Sequence, residues 1–234
     1  MNLPPWPYPV FMLAAIGTGI LVGRKTQEPL KLDPLQNWGL FLGAFCGSFL
    51  GAKLPYLLFN ALHNVSDAGL FDSGKTILGG MVGGYLGVEA VKFALEIKVK
   101  TGDSFAVPVA ASIAVGRLAC FFGGCCYGTP TALPWAVRFG DGIPRHPTQL
   151  YEFFFHGGMA VVLWNLRERG LFPRQLIKLY ILSYLIYRFL TEYIRPEPRV
   201  FEGLTPYQLA ALAMIPLFGW LWRLDSPAYL AQKS

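Results

Sequence analysis

Three short stretches of this chain carry residue types that can do chemistry at the spacing they have. The first runs Gly116-Arg117-Leu-Ala-Cys120-Phe-Phe-Gly123-Gly124-Cys125-Cys126-Tyr127-Gly128. It sets one arginine and three thiols among glycines at the end of an apolar run. A guanidinium fixed in a polar cavity grips a phosphate with a planar fork of donors. The same arginine could also snorkel to an interface and do nothing more. The second stretch is Arg145-His146-Pro147-Thr148-Gln149-Leu150-Tyr151-Glu152. It reads as a loop ending at a helix start, with Pro147 suited to the first turn. His146, Gln149 and Glu152 recur every three residues, so on a helix they drift slowly around one face. The third stretch is Tyr187-Arg188-Phe-Leu-Thr-Glu192-Tyr-Ile-Arg195-Pro196. Arg188 and Glu192 stand four apart on one helix face, with Arg195 a turn further on. An internal ion pair is one reading, and an Arg–Glu–Arg arrangement reaching a cavity is the other. Three polar stripes in three apolar segments point to one shared site, because buried charge persists only when partnered or used.

The cysteines admit several roles. Cys125 and Cys126 are adjacent and Cys120 lies five residues earlier, without C-x-x-C spacing. Apart from His146, the histidines are His63 and His156. No metal or cofactor is expected from this pattern. Small packing residues, a reactive thiol beside Arg117, and a thiol redox pair are the readings that the residues leave open.

The elements that must position these stretches are membrane helices. The chain has 234 residues, of which 53% are hydrophobic and only 15% charged. Its mean hydropathy is +0.41. An average soluble domain has about 25% charged residues. Disordered, collagenous and disulfide-stapled classes are excluded, and a polytopic membrane protein is the expectation. The net charge of +6 would raise nucleic acid as a partner in a soluble protein. Here the basic residues lie mostly between apolar runs, so no nucleic-acid role is expected and lipid headgroups come first. Met1 to Pro9 holds no Lys or Arg, unlike the charged start of a cleavable signal peptide.

Apolar runs place spans at about 8–23, 38–60, 76–95, 105–127, 148–165, 175–194 and 205–222. The predicted architecture is all-α, a single membrane-embedded domain over 1–234 with about seven transmembrane helices. With the N-terminus outside, Arg24, Lys25, Lys31, Lys98, Lys100, Arg167, Arg169, Arg174, Arg223 and Lys233 fall inside. Lys75, Arg138, Arg145, Arg195 and Arg199 then fall outside. The excess of inside charge predicts an external N-terminus and a cytoplasmic C-terminus. The stretch 128–147 is the longest without apolar character, and it is expected to be an extracytoplasmic functional loop.

In these three motifs the chain resembles the bacterial prolipoprotein diacylglyceryl transferase family. Gly116 to Gly128 is similar to the family's G-R-x-G-N-F-x-N-G-E-x-x-G. Arg145 to Glu152 closely resembles R-H-P-S-Q-L-Y-E. Tyr187 to Arg195 resembles F-R-x-x-x-E-F-x-R, and Thr205-Pro-Tyr-Gln208 resembles the T-x-x-Q that follows. The resemblance covers about residues 74–215. It implies a multi-pass enzyme of the bacterial cytoplasmic membrane, without a cofactor. Such an enzyme moves diacylglyceryl from phosphatidylglycerol to the lipobox cysteine of an exported preprotein and releases glycerol phosphate. It implies Arg117 and Arg188 as phosphate-holding catalytic residues, with Glu152 and Glu192 orienting them. Arg145, His146, Gln149, Tyr151, Gly128, Cys120, Cys125 and Arg195 would line the substrate site.

The departures from the family pattern are local. Cys120 stands where the family has Asn, and Cys125 where it has Glu. The family's M-S-F-H-G-G falls on Lys75-Thr76-Ile77-Leu78-Gly79-Gly80, so the histidine often cast as base becomes Leu78. A divergent paralogue is implied. A non-catalytic phospholipid-binding or lipid-moving protein, or a transferase with another donor or acceptor, is the alternative.

Overall fold

A computed structural model of the chain describes residues 6–27, 31–62 and 76–226. His63, Lys75 and Lys233 lie outside the described residues. Seven α-helices are present among those described: α1 Pro7–Gln27, α2 Pro34–Leu62, α3 Ile77–Ala94, α4 Gly102–Phe122, α5 Thr148–Glu168, α6 Leu176–Thr191 and α7 Pro206–Leu224. Two two-residue strands, β1 Val137–Arg138 and β2 Pro144–Arg145, pair antiparallel between α4 and α5. Three helical stretches are long and apolar enough to cross a membrane: Pro7–Thr26, Ile77–Ala94 and Gly102–Phe122.

Two differences from the sequence expectation bear on the motifs. The fourth span stops at Phe122 instead of reaching 127. Gly124 and Cys126 both take left-handed backbone, at φ +63° and +63°, and that conformation cannot continue a right-handed helix. The helix of the second motif begins at Thr148, with Pro147 capping it from outside. His146 therefore stands before the helix and does not share the face of Gln149 and Glu152.

The chain divides into two compact units, one holding α2 and α3, the other holding α1 and everything from α4 onward. In the first, Gly43, Gly47 and Gly51 meet Gly79, Gly83 and Gly87 at four-residue spacing. A Cβ on Gly47 would overlap the Gly83 carbonyl oxygen, and the reverse holds for Gly83. Small residues at this spacing let two helix backbones touch, which is how helices associate in lipid.

In the larger unit α1 runs against α4. The rings of Phe11 and Phe122 stack at 4.8 Å near one end, and Thr26 Oγ1 donates to the Ser104 carbonyl at 2.6 Å near the other. The same Thr26 end gathers a polar layer. The Asp103 carboxylate accepts from the backbone N–H groups of Arg174 and Leu176, at 2.5 and 2.9 Å, ahead of α6. Arg167 donates to the Thr26 carbonyl at 2.8 Å, and Lys178 pairs with Asp225. Those contacts fix the alternation of helix directions. The C-terminal ends of α4 and α6 and the N-terminal ends of α5 and α7 are consequently left together at the opposite end.

Candidate active site

Glu152 is the hub of that opposite end. It sits on the second turn of α5 and is 1% exposed. Its carboxylate pairs with Arg117 from α4 and with Arg195 from just past the 3-10 turn Glu192–Ile194, and it lies 3.6 Å from Arg188 of α6. Arg188 also holds Glu192 at 2.8 Å, one turn on, and its guanidinium lies 4.4 Å from the centroid of the Tyr207 ring. Three guanidiniums thus face two carboxylates, which leaves one surplus positive charge inside apolar helices. Such a cluster persists only if its charges are mutually hydrogen-bonded or used. The Nε atoms of both Arg117 and Arg195 are buried with no hydrogen-bond partner among the described residues. An N–H of that kind is a ready donor to an anion.

The other predicted residues form a layer beside the cluster. Gln149 is fully buried, and its Nε2 donates to the Cys125 carbonyl at 2.5 Å. Thr148 Oγ1 and Arg195 Nη1 donate to the Cys126 carbonyl at 2.7 and 3.1 Å. The loop after α4 is in this way pinned onto α5 and the 3-10 turn. Cys120 Sγ lies 3.7 Å from Arg117 Nη1. Hydrogen bonding with the Cys120 and Cys125 thiols, reinforced by the Arg117 and Arg195 charges, holds the Cys126 thiol well below the ordinary thiol range. The same sulfur contacts push Cys125 up.

Gly128 is required by packing. A Cβ there would stand 2.8 Å from the His146 Cβ and 2.9 Å from the Thr148 Cγ2. Its N–H donates to the His146 carbonyl at 2.8 Å. The His146 side chain turns to Tyr151, with Nδ1 at 3.2 Å from the phenol oxygen, and Trp135 Nε1 donates to that same oxygen at 2.8 Å. Arg145 is not part of the cluster. Its Nε donates to Asp141 at 2.7 Å, and its guanidinium lies 5.0 Å from the centroid of the Tyr127 ring. Its motif neighbours are drawn inward while β2 holds Arg145 in the hairpin.

Sequence reasoning did not place His156, Tyr207 or Trp135 in the site. His156 is fully buried one turn past Glu152, with Nδ1 at 2.6 Å from Tyr180 Oη and Nε2 without a partner among the described residues. Its four-residue spacing from Glu152 was the available signal. Tyr207 lies in the T-x-x-Q stretch and Trp135 in the 128–147 loop, but their roles depend on neighbours distant in sequence.

Apolar helices around a buried guanidinium–carboxylate cluster define a class: a helical membrane protein with a cluster of buried charge at one end of its helices. More particularly, the chain belongs to the prolipoprotein diacylglyceryl transferase family, whose model matches residues 4–224. Relatives named phosphatidylglycerol–prolipoprotein diacylglyceryl transferase bear this out. The one from Polynucleobacter necessarius is 38% identical, covering 84% of this chain and 80% of its own length. The one from Methylococcus capsulatus is 32% identical over 92% of this chain and 87% of its own. The one from Coxiella burnetii is 32% identical over 88% of each.

Proposed function

We propose that this protein moves the diacylglyceryl group of phosphatidylglycerol onto the cysteine thiol of an exported prolipoprotein. In this reading it sits in the bacterial cytoplasmic membrane with seven spans, an external N-terminus and the 128–147 loop outside. The supporting observation is the Glu152 hub, with three arginines and one surplus positive charge. A phosphodiester headgroup carries one negative charge and matches that surplus. Stacking of Phe11 on Phe122 puts the start of α1 at the same end as the site. The distribution of Lys and Arg assigns that end to the outside, where an exported acceptor arrives.

The chemistry follows from where charge develops. The acceptor sulfur attacks the glyceryl carbon, the C–O bond to phosphate breaks, and the leaving phosphate becomes a dianion. Guanidiniums already fixed around Glu152 stabilise the second charge more than the first, so they favour the transition state over bound lipid. Arg117 and Arg188 hold the phosphate, and Glu152 and Glu192 keep their forks aimed. Gln149 and Arg195 shape the loop of Cys125 and Cys126. His146 and Tyr151 line the approach.

Leu78, buried in α3, supplies no base at the position where the resemblance places one. This favours a lipid-binding protein as the second reading. A free thiol with an ordinary pKa near 8.5 is nonetheless about 3% thiolate at pH 7, so the reaction is slowed and not forbidden. The deciding experiment puts purified protein in phosphatidylglycerol liposomes with a lipobox peptide. A diacylglyceryl mass increment on the peptide cysteine, with glycerol phosphate released, is the expected result. Glycerol phosphate without peptide modification would mean another acceptor. Folded protein yielding neither product would leave the lipid-binding reading.

A further inference from the structure

We infer that Cys120, Cys125 and Cys126 form a three-sulfur site for zinc whose fourth position takes the acceptor thiol. This rests on the transferase reading above and supplies the step that Leu78 cannot. The three Sγ atoms lie within 4.8 Å of one another, and those of Cys125 and Cys126 are 3.7 Å apart. Zinc–sulfur bonds of about 2.3 Å in a tetrahedron set the sulfurs about 3.8 Å apart. The backbone is arranged to bring them together. Left-handed residues at 124 and 126 fold the chain back on the end of α4. The hydrogen bonds from Gln149, Thr148 and Arg195 to the Cys125 and Cys126 carbonyls then hold it there.

Charge and access fit the same assignment. Three thiolates around Zn2+ carry one net negative charge, and Arg117 Nη1 lies 3.7 Å from Cys120 Sγ. Cys125 and Cys126 are exposed, so the fourth position faces an incoming peptide. Three protein ligands with one open position is the pattern of reactive zinc sites, and soft thiolates select a d10 ion. The acceptor R–SH binds the metal as R–S−, and its proton goes to water. The sulfur lone pair forms the new C–S bond. The C–O pair departs with glycerol phosphate beside the arginines. The thioether product is neutral and a poor ligand, so it leaves, and zinc ends with its starting charge.

The test uses the full chain in phosphatidylglycerol nanodiscs, fully reduced and without oxygen, with Co2+ as the spectroscopic probe. Binding of about one equivalent, with thiolate-to-cobalt charge-transfer absorption and tetrahedral d–d bands, is expected. A lipobox peptide should shift the d–d bands, and its Cys→Ser analogue should not. Cys120→Ser, Cys125→Ser and Cys126→Ser should each weaken binding by more than the roughly 10–100-fold that losing an outer-shell partner costs. Cys46→Ser should leave it unchanged. Arg188→Ala should keep the cobalt spectrum and its peptide response while losing glycerol phosphate release, which separates the metal site from the phosphate site. No cobalt signal in protein whose thiols all titrate as free would overturn the inference. So would a signal that survives the Cys120 and Cys125 substitutions, or full peptide modification after chelation. A cobalt site that answers the peptide in a protein that never modifies it would overturn the transferase reading instead.

Discussion

Arg188 lies 3.6 Å from Glu152, so a residue near the end of α6 and one near the start of α5 share a charge inside the helices. The same guanidinium holds Glu192 at 2.8 Å. Arg188 is therefore both a structural tie and a group with donors aimed at one end of the bundle.

Glu152→Ala strips three arginines of their common partner. Breaking a buried ion pair by removing one member costs about 3–5 kcal/mol. A large drop in the thermal unfolding midpoint in detergent is expected, together with loss of turnover. Glu152→Gln keeps the shape and some hydrogen bonding, so its midpoint should fall between those of wild type and the alanine variant.

Arg117→Ala and Arg188→Ala leave Glu152 with two arginines each, so helical content should persist. Turnover should fall by about 10²–10³ or more, the scale for losing one fixed donor at a developing anion. Arg188→Lys should not restore it, because an ammonium lacks the planar fork that spans two acceptors. Glycerol phosphate release from liposomes is the readout. Wild-type turnover in either alanine variant would remove that arginine from the phosphate site.

Gly83→Leu forces a side chain into the Gly47 carbonyl across α2 and α3. Overpacking of this kind costs about 1–3 kcal/mol, and a lowered unfolding midpoint should report it. Gly219→Ala in α7 is the contrast. A Cβ there meets nothing within 4 Å, so the midpoint should hold or rise slightly.

The hairpin pair has its own pH signature. The hydrogen bond from Arg145 holds the Asp141 carboxyl below its usual range. A depressed folded pKa means the contribution is present above the ordinary value near 3.9 and is lost as pH falls through the lower folded value. The pair should thus be constant between pH 5 and 8. Carbon-13 titration of labelled aspartate, with Asp141→Asn to assign the signal, should give a midpoint below the ordinary value. Arg145→Ala should raise it toward the ordinary value, with the Ile143 N–H still holding part of the shift.

Tyr151→Phe removes the oxygen that Trp135 and His146 share. About 1 kcal/mol is expected for a lost hydrogen bond of this type. The effect should appear in KM more than in kcat, since in the proposed reading these residues line the approach and do not touch the phosphate.

Much of the site was legible in the residues themselves. Arg117, Glu152, Arg188 and Glu192 stand out because a charge in an apolar run has to be partnered, and the Arg188–Glu192 pair follows from helical geometry alone. The helices themselves followed from the lengths of the apolar runs. That α2 pairs with α3 was decided by the structure, where Gly43, Gly47 and Gly51 meet Gly79, Gly83 and Gly87. What the chain order could not show is which arginine meets which carboxylate. Arg117 and Glu152 are far apart in sequence, and both Arg188 and Arg195 had a nearer acid in Glu192. Only the alternation of helix directions brings three guanidiniums to Glu152, because each tie at the Thr26 end fixes which helix ends meet at the other. Tertiary structure likewise turned His146 away from the face of Gln149 and Glu152 and closed three unpatterned cysteines into one cluster. Left-handed backbone at 124 and 126 decides that closure, and no linear spacing rule describes it.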